Sequence, residues 1–128
     1  MKISARFVSA VLLLTLVLCV GISILEVQTK FFRKTYDEII LDNRGHYLAC
    51  EQLPLEAEVR RVMENHQDVI KKIEQIKPGF VGVEMDTSNC PGKADILFWY
   101  GTHEDRLQIE GIIAGDTFYG IPYRLENR

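Results

Sequence analysis

Nineteen consecutive residues carry no charge, from Phe7 to Leu25 (FVSAVLLLTLVLCVGISIL). A helix gains about 1.5 Å per residue, so a stretch of this length matches a hydrocarbon core of roughly 30 Å. Lys2 and Arg6 precede it, as basic residues do in cleavable signal peptides and uncleaved anchors alike. A cleavable signal has a shorter apolar core, of about 7–15 residues, and small residues at an A-x-A-like site. Only Cys19-Val20-Gly21 and Gly21-Ile22-Ser23 come near that pattern. We therefore expect residues 1–25 to form a single-pass signal-anchor, a transmembrane helix with the membrane as the partner of Phe7 to Leu25.

All 18 acidic residues fall from Glu26 onward, against 13 of the 15 Lys and Arg, so everything past the anchor carries a net charge of −5. An acidic domain without a Lys/Arg cluster is ill suited to nucleic acid, whose phosphates require a basic face. Lys30, Arg33 and Lys34 run against that acidity, at the place where headgroups follow a membrane span. About 100 residues remain for one compact domain. A content of 47% hydrophobic and 26% charged residues argues against disorder.

Positive charge is nearly balanced across the apolar stretch, so orientation rests on cysteine usage. Cys19 lies inside the stretch and reads as a small hydrophobe. Leu18 before it is too large for a lipoprotein cleavage site. Cys50 and Cys90 remain as an even pair, which in an exported domain points to one disulfide. The pair predicts a cell-membrane protein whose carboxy-terminal domain is extracytoplasmic. The alternative is two separate buried thiols in a cytosol-facing domain.

Residues 26–45 read as a juxtamembrane helix or linker. Val27, Phe31, Phe32, Tyr36, Ile39 and Ile40 recur at helical spacing to about Asp42, and Gly45 suits the left-handed residue that closes a helix. A short strand over Glu38 to Leu41 is the other reading. His46 to Cys50 (HYLAC) then reads as the first strand of a domain covering 46–128. Pro54 fits the first turn of a helix. Leu55, Val59, Val62, Met63, His66, Val69, Ile70, Ile73 and Ile76 predict one amphipathic helix that Lys77-Pro78-Gly79 ends.

Phe80 to Thr87 alternates, with Val81, Val83 and Met85 on one side and Gly82, Glu84 and Asp86 on the other, as a half-buried strand does. Beyond the turn Ser88 to Lys93, Asp95 to Tyr100 is apolar enough for an inner strand. Arg106 to Ile113 alternates as a strand would, yet Thr102 with an acid three residues later forms a helix cap. We expect the helix there, closed by Gly115. Thr117 to Leu125 reads as a last strand that Pro122 confines to an edge. The resulting order, βαββαβ, is that of a ferredoxin-like α+β sandwich, which brings Cys50 and Cys90 to one end of the sheet.

No G-x-G-x-x-G, no P-loop and no short zinc spacing occurs, so no nucleotide, cofactor or metal is expected. His103-Glu104-Asp105 occupies a first helical turn, where adjacent side chains diverge and acids serve the helix dipole. His66 falls on the apolar stripe with no identifiable acid or nucleophile beside it. Cys90-Pro91-Gly92-Lys93 lacks a second cysteine at redox spacing. His46 near Cys50 lacks an orienting third residue. We nominate no catalytic residue. If Ile96, Phe98 and Tyr100 face the helices, Leu97 and Trp99 face the open side of the sheet, where Tyr119 and Tyr123 join them. An open aromatic face marks a partner surface. The expected function is therefore protein interaction or assembly through Leu97, Trp99, Tyr119 and Tyr123. The alternative is a small-ligand sensor or enzyme using His46, His103 and the Cys90 hairpin loop.

Overall fold

The computed structural model describes residues 5–128, in two compact units that divide between Thr35 and Tyr36. In the first, α1 (Ala5–Thr29) is one continuous helix, and its segment Phe7–Thr29 is long and apolar enough to cross a membrane. The helical pattern does not run unbroken towards Asp42 as the spacing predicts. It turns at Lys30, whose φ of 51° is left-handed. There the Glu26 carboxylate accepts hydrogen bonds from the N–H groups of Phe32 (2.8 Å) and Arg33 (3.2 Å). These are first-turn donors of α2 (Phe31–Ile39), which have no acceptor inside their own helix.

The second unit is an α+β domain. Its strands β1 (Gly82–Asp86), β2 (Asp95–Tyr100), β3 (Thr117–Phe118) and β4 (Ile121–Asn127) form one mixed sheet in the order β1-β2-β4-β3. β1 and β2 run antiparallel, β2 and β4 parallel, and β3 and β4 antiparallel. A parallel pair needs a long crossover, and α5 (His103–Ile113) supplies it. Residues in register share a face, so Val83, Met85, Ile96, Phe98, Tyr123 and Leu125 line one side. Val59 of α3 (Glu56–Asn65), Ile70 and Ile73 of α4 (Gln67–Glu74) and Ile109 of α5 pack on that side in a single core. Each large side chain so buried contributes roughly 1.5–3 kcal/mol.

The sheet departs from the expected ferredoxin-like order in two places. His46 to Cys50 forms no strand, because Tyr47 is left-handed (φ 56°) and interrupts an extended chain. Arg44 alone bridges to the sheet there, exchanging backbone hydrogen bonds of 2.9 and 2.8 Å with Leu125. As a result β4 is not an edge strand but lies between β2 and β3. Pro122 is tolerated because it stands opposite Thr117 at the start of β4, before the register with β2 begins at Tyr123.

Three helix boundaries also differ. The helix expected over 55–76 breaks at His66 (φ −122°, ψ 34°) into α3 and α4. The His66 N–H is shared between the carbonyls of Val62 (3.1 Å) and Met63 (3.3 Å), a tightened turn. Its ring stacks on Tyr119 with centroids 3.4 Å apart. α5 is helical as its cap predicts, with Thr102 Oγ1 accepting from the Asp105 N–H at 3.2 Å. It closes on left-handed Ala114 (φ 53°) rather than on Gly115, and the chain after α2 turns at left-handed Asp42 (φ 53°) rather than at Gly45.

Candidate functional site

On the side of the sheet away from the core stand Gly82, Glu84 and Asp86 of β1, Asp95, Leu97 and Trp99 of β2, and Arg124 and Glu126 of β4. This face is charged where the sequence led us to expect aromatic rings. Asp86 and Asp95 are direct cross-strand partners, an arrangement that repels. Arg124 offsets the repulsion: its guanidinium donates to Asp95 at 2.6 and 3.2 Å and also to Asp86. His46 Nε2 lies 2.7 Å from Asp95 Oδ2, while His46 Nδ1 accepts the Leu48 N–H at 3.0 Å. An accepting Nδ1 leaves the proton on Nε2, which donates to Asp95.

Burial alone would raise the Asp95 carboxyl, but hydrogen bonds from His46 and Arg124 and the Arg124 charge hold it below the usual carboxylate range. Asp86 follows the same logic. Burial opposes its ionisation, and hydrogen bonds from Ser88 and Arg124 with the Arg124 charge outweigh it. The three strands are thus joined across this face by a chain of ionic hydrogen bonds, Asp86–Arg124–Asp95–His46.

The four residues expected to share one partner surface are dispersed. Leu97 is only 3% exposed, in the row between Glu84 and Arg124. Tyr123, in register with Ile96, is buried on the core side. Its ring meets Phe98 (centroids 5.4 Å) and its hydroxyl donates to the Gly115 carbonyl at 2.8 Å. Tyr119 is exposed but belongs to the two-residue turn between β3 and β4, where Tyr119 (φ 52°) and Gly120 (φ 88°) are both left-handed. Leu97 and Trp99 share the expected side of the sheet, and of the two Trp99 is the one with accessible surface. It is half-buried and packs over Gly82, where a Cβ would overlap the indole. Beside it runs a shallow groove of about 560 Å³ whose walls include Lys71 and Glu74 of α4, Val83 and Glu84 of β1, and Trp99. Among the described residues β1 pairs only with β2, so its outer edge has no strand partner there.

Cys50 and Cys90 are bonded, with Cα atoms 5.5 Å apart, as their pairing in the sequence predicts. The bond ties the 3-10 turn Cys50–Gln52 to the loop between β1 and β2. Lys93 Nζ donates to the Leu53 carbonyl (2.9 Å) and the Ala94 N–H to that of Pro54 (3.2 Å), so the same two segments are joined again just beyond the sulfurs. His103 lies in a different cluster. Its Nδ1 is 2.7 Å from Asp42 Oδ1, which also accepts from buried Arg106 at 2.9 Å. Arg106 reaches Glu110 (3.2 Å) and Glu38 (3.5 Å) in turn. Burial opposes ionisation of Asp42, and hydrogen bonds from His103 and Arg106 prevail and lower its pKa. Among the described residues, no group of three or more His, Cys, Asp or Glu is arranged to hold a metal ion.

Sequence reasoning missed Asp86, Asp95 and Arg124 as a unit. The available signal was a single charge inside otherwise apolar strands, Asp95 heading DILFWY and Arg124 within IPYRL, since a charge so placed requires a partner. Compared with known proteins, the chain matches no family model, no curated protein and no solved structure.

Proposed function

We propose that this chain is a single-pass, membrane-anchored protein that holds a disulfide-closed domain outside the cytoplasm, where the domain serves protein interaction or assembly. The observation that carries the reading is the open edge of β1 beside half-buried Trp99 and its groove. A strand edge offers main-chain donors and acceptors to an incoming segment, and an adjoining groove receives alternate side chains. The apolar segment Phe7–Thr29 supports the anchor, and the Cys50–Cys90 bond supports an oxidising compartment for the domain. The alternative reading, a small-ligand sensor or enzyme, draws no support from the site. Cys90 is bonded to Cys50, both ring nitrogens of His46 are engaged, and His103 pairs with Asp42 in another cluster.

The test is crosslinking in native membranes from a photoreactive amino acid at Glu84, with and without Trp99→Ala. The reading expects a protein adduct that Trp99→Ala removes while the Cys50–Cys90 bond still forms. Absence of an adduct, or one indifferent to the substitution, refutes it.

A further inference from the structure

We infer that α2 is a membrane-interface helix, whose apolar side inserts at the boundary between lipid headgroups and hydrocarbon. The inference rests on the anchor reading above and assigns a second, distinct contact with the bilayer. Phe32, Tyr36 and Ile39 recur at spacings of four and three, along one side of a helix. The Ile40 N–H bonds the Tyr36 carbonyl at 2.9 Å, so Ile40 extends the same turn. All four side chains are more than half exposed, with Ile39 at 72%. Two aromatic rings and two isoleucines side by side form a contiguous apolar patch that water does not favour.

Tyr36, Ile39 and Ile40 stay uncovered by the domain to which they belong, because it holds the neighbouring acids on the other side of this turn. Tyr47 donates its hydroxyl to Asp37 at 2.7 Å, and Arg106 pairs with Glu38. The two acids of α2 are thus engaged by the protein, and the apolar side is left displayed. Three features select lipid as the occupant. α2 begins two residues after Thr29, where the span-length segment ends. The basic residues Lys30, Arg33 and Lys34 cluster at that junction, as anionic headgroups favour. An aromatic and aliphatic side flanked by Arg33, with the charged residues on the rest of the surface, is the composition of helices that lie at the interface with their apolar side about 5–10 Å deep.

The experiment uses the full chain with Cys19→Ser, reconstituted in vesicles of phosphatidylcholine and phosphatidylglycerol. One environment-sensitive fluorophore is attached at Ile39→Cys, at Leu16→Cys in the apolar span, or at Leu107→Cys on the exposed side of α5, with Tyr36→Cys as a second reporter of the patch. Lipids carry a nitroxide either near the top of the acyl chain or near its end. The Leu16 probe should lose emission to the deep nitroxide, the Ile39 and Tyr36 probes to the shallow one, and the Leu107 probe to neither. If Leu16 is quenched while Ile39 and Tyr36 behave like Leu107, the interface assignment is overturned and the anchor stands. If the patch probes are shielded from an aqueous quencher yet untouched by either nitroxide, a protein covers the face and the assignment is likewise overturned. If Leu16 escapes quenching as well, the anchor reading falls and takes this one with it.

Discussion

Replacing Arg124 by methionine removes the cation that bridges Asp86 and Asp95 across three strands, while keeping a long apolar stem. Breaking a buried ion pair costs about 3–5 kcal/mol. The side chains of Arg124 and Asp86 are 27% and 16% exposed, so solvent screens part of that interaction, whereas Asp95 is 6% exposed and feels nearly all of it. Asp95 also retains His46 at 2.7 Å. We therefore expect Arg124→Met to lose about 2–4 kcal/mol at neutral pH.

The pH dependence discriminates this mechanism from a simple loss of packing. In the native protein both folded carboxyls are depressed. Their stabilisation is complete above the ordinary carboxylate pKa of about 3.9 and is lost as pH falls through the folded values, because the unfolded chain binds protons first. In Arg124→Met two carboxylates face each other without a cation, which raises at least one folded pKa above the ordinary value. The sign then reverses, and the deficit of the variant shrinks as pH falls from neutral towards about 4. Urea unfolding of the detergent-solubilised chain, followed by emission of its sole tryptophan, Trp99, measures both quantities. A loss below about 1 kcal/mol, or a deficit that does not shrink on acidification, would refute the bridging role assigned to Arg124.

Three further outcomes follow from the same structure. Replacing both Cys50 and Cys90 by serine opens a link across 40 residues and should cost about 2–4 kcal/mol, seen as a lower urea midpoint that reductant reproduces in the native chain. Gly82→Ala drives a methyl into the Trp99 ring and should cost about 1–3 kcal/mol with a red-shifted emission as the indole swings outward; unchanged emission would show that the ring does not rest on this glycine. Ala114→Gly relieves a left-handed alanine at the end of α5 and should raise stability by about 0.5–1 kcal/mol, measured as a higher thermal midpoint.

Much of the chain was legible in its sequence, because the features concerned are set within a few residues of themselves. An uncharged run satisfies its backbone as a helix whatever surrounds it, and α1 formed over the run read for it. Thr102 caps α5 through a bond to its own first turn, which outweighed the strand-like alternation of Arg106 to Ile113. The alternation of β1 put Val83 and Met85 towards the core as read, since period two follows from the pleat alone. The pairing of Cys50 with Cys90 followed from there being two cysteines outside the apolar run.

Only the tertiary structure decided the rest. Strand order depends on which segments compete for the places beside β2, and β4 took the place assigned to His46 to Cys50 because left-handed Tyr47 spoils that segment as a strand. That exchange set the register Ile96 to Tyr123, sent Tyr123 into the core and brought Arg124 within reach of Asp86 and Asp95. A face that reads as aromatic in one strand therefore became ionic in the sheet. Which side chains meet across strands is a property of the assembled register, and local periodicity carries no information about a partner 29 positions away.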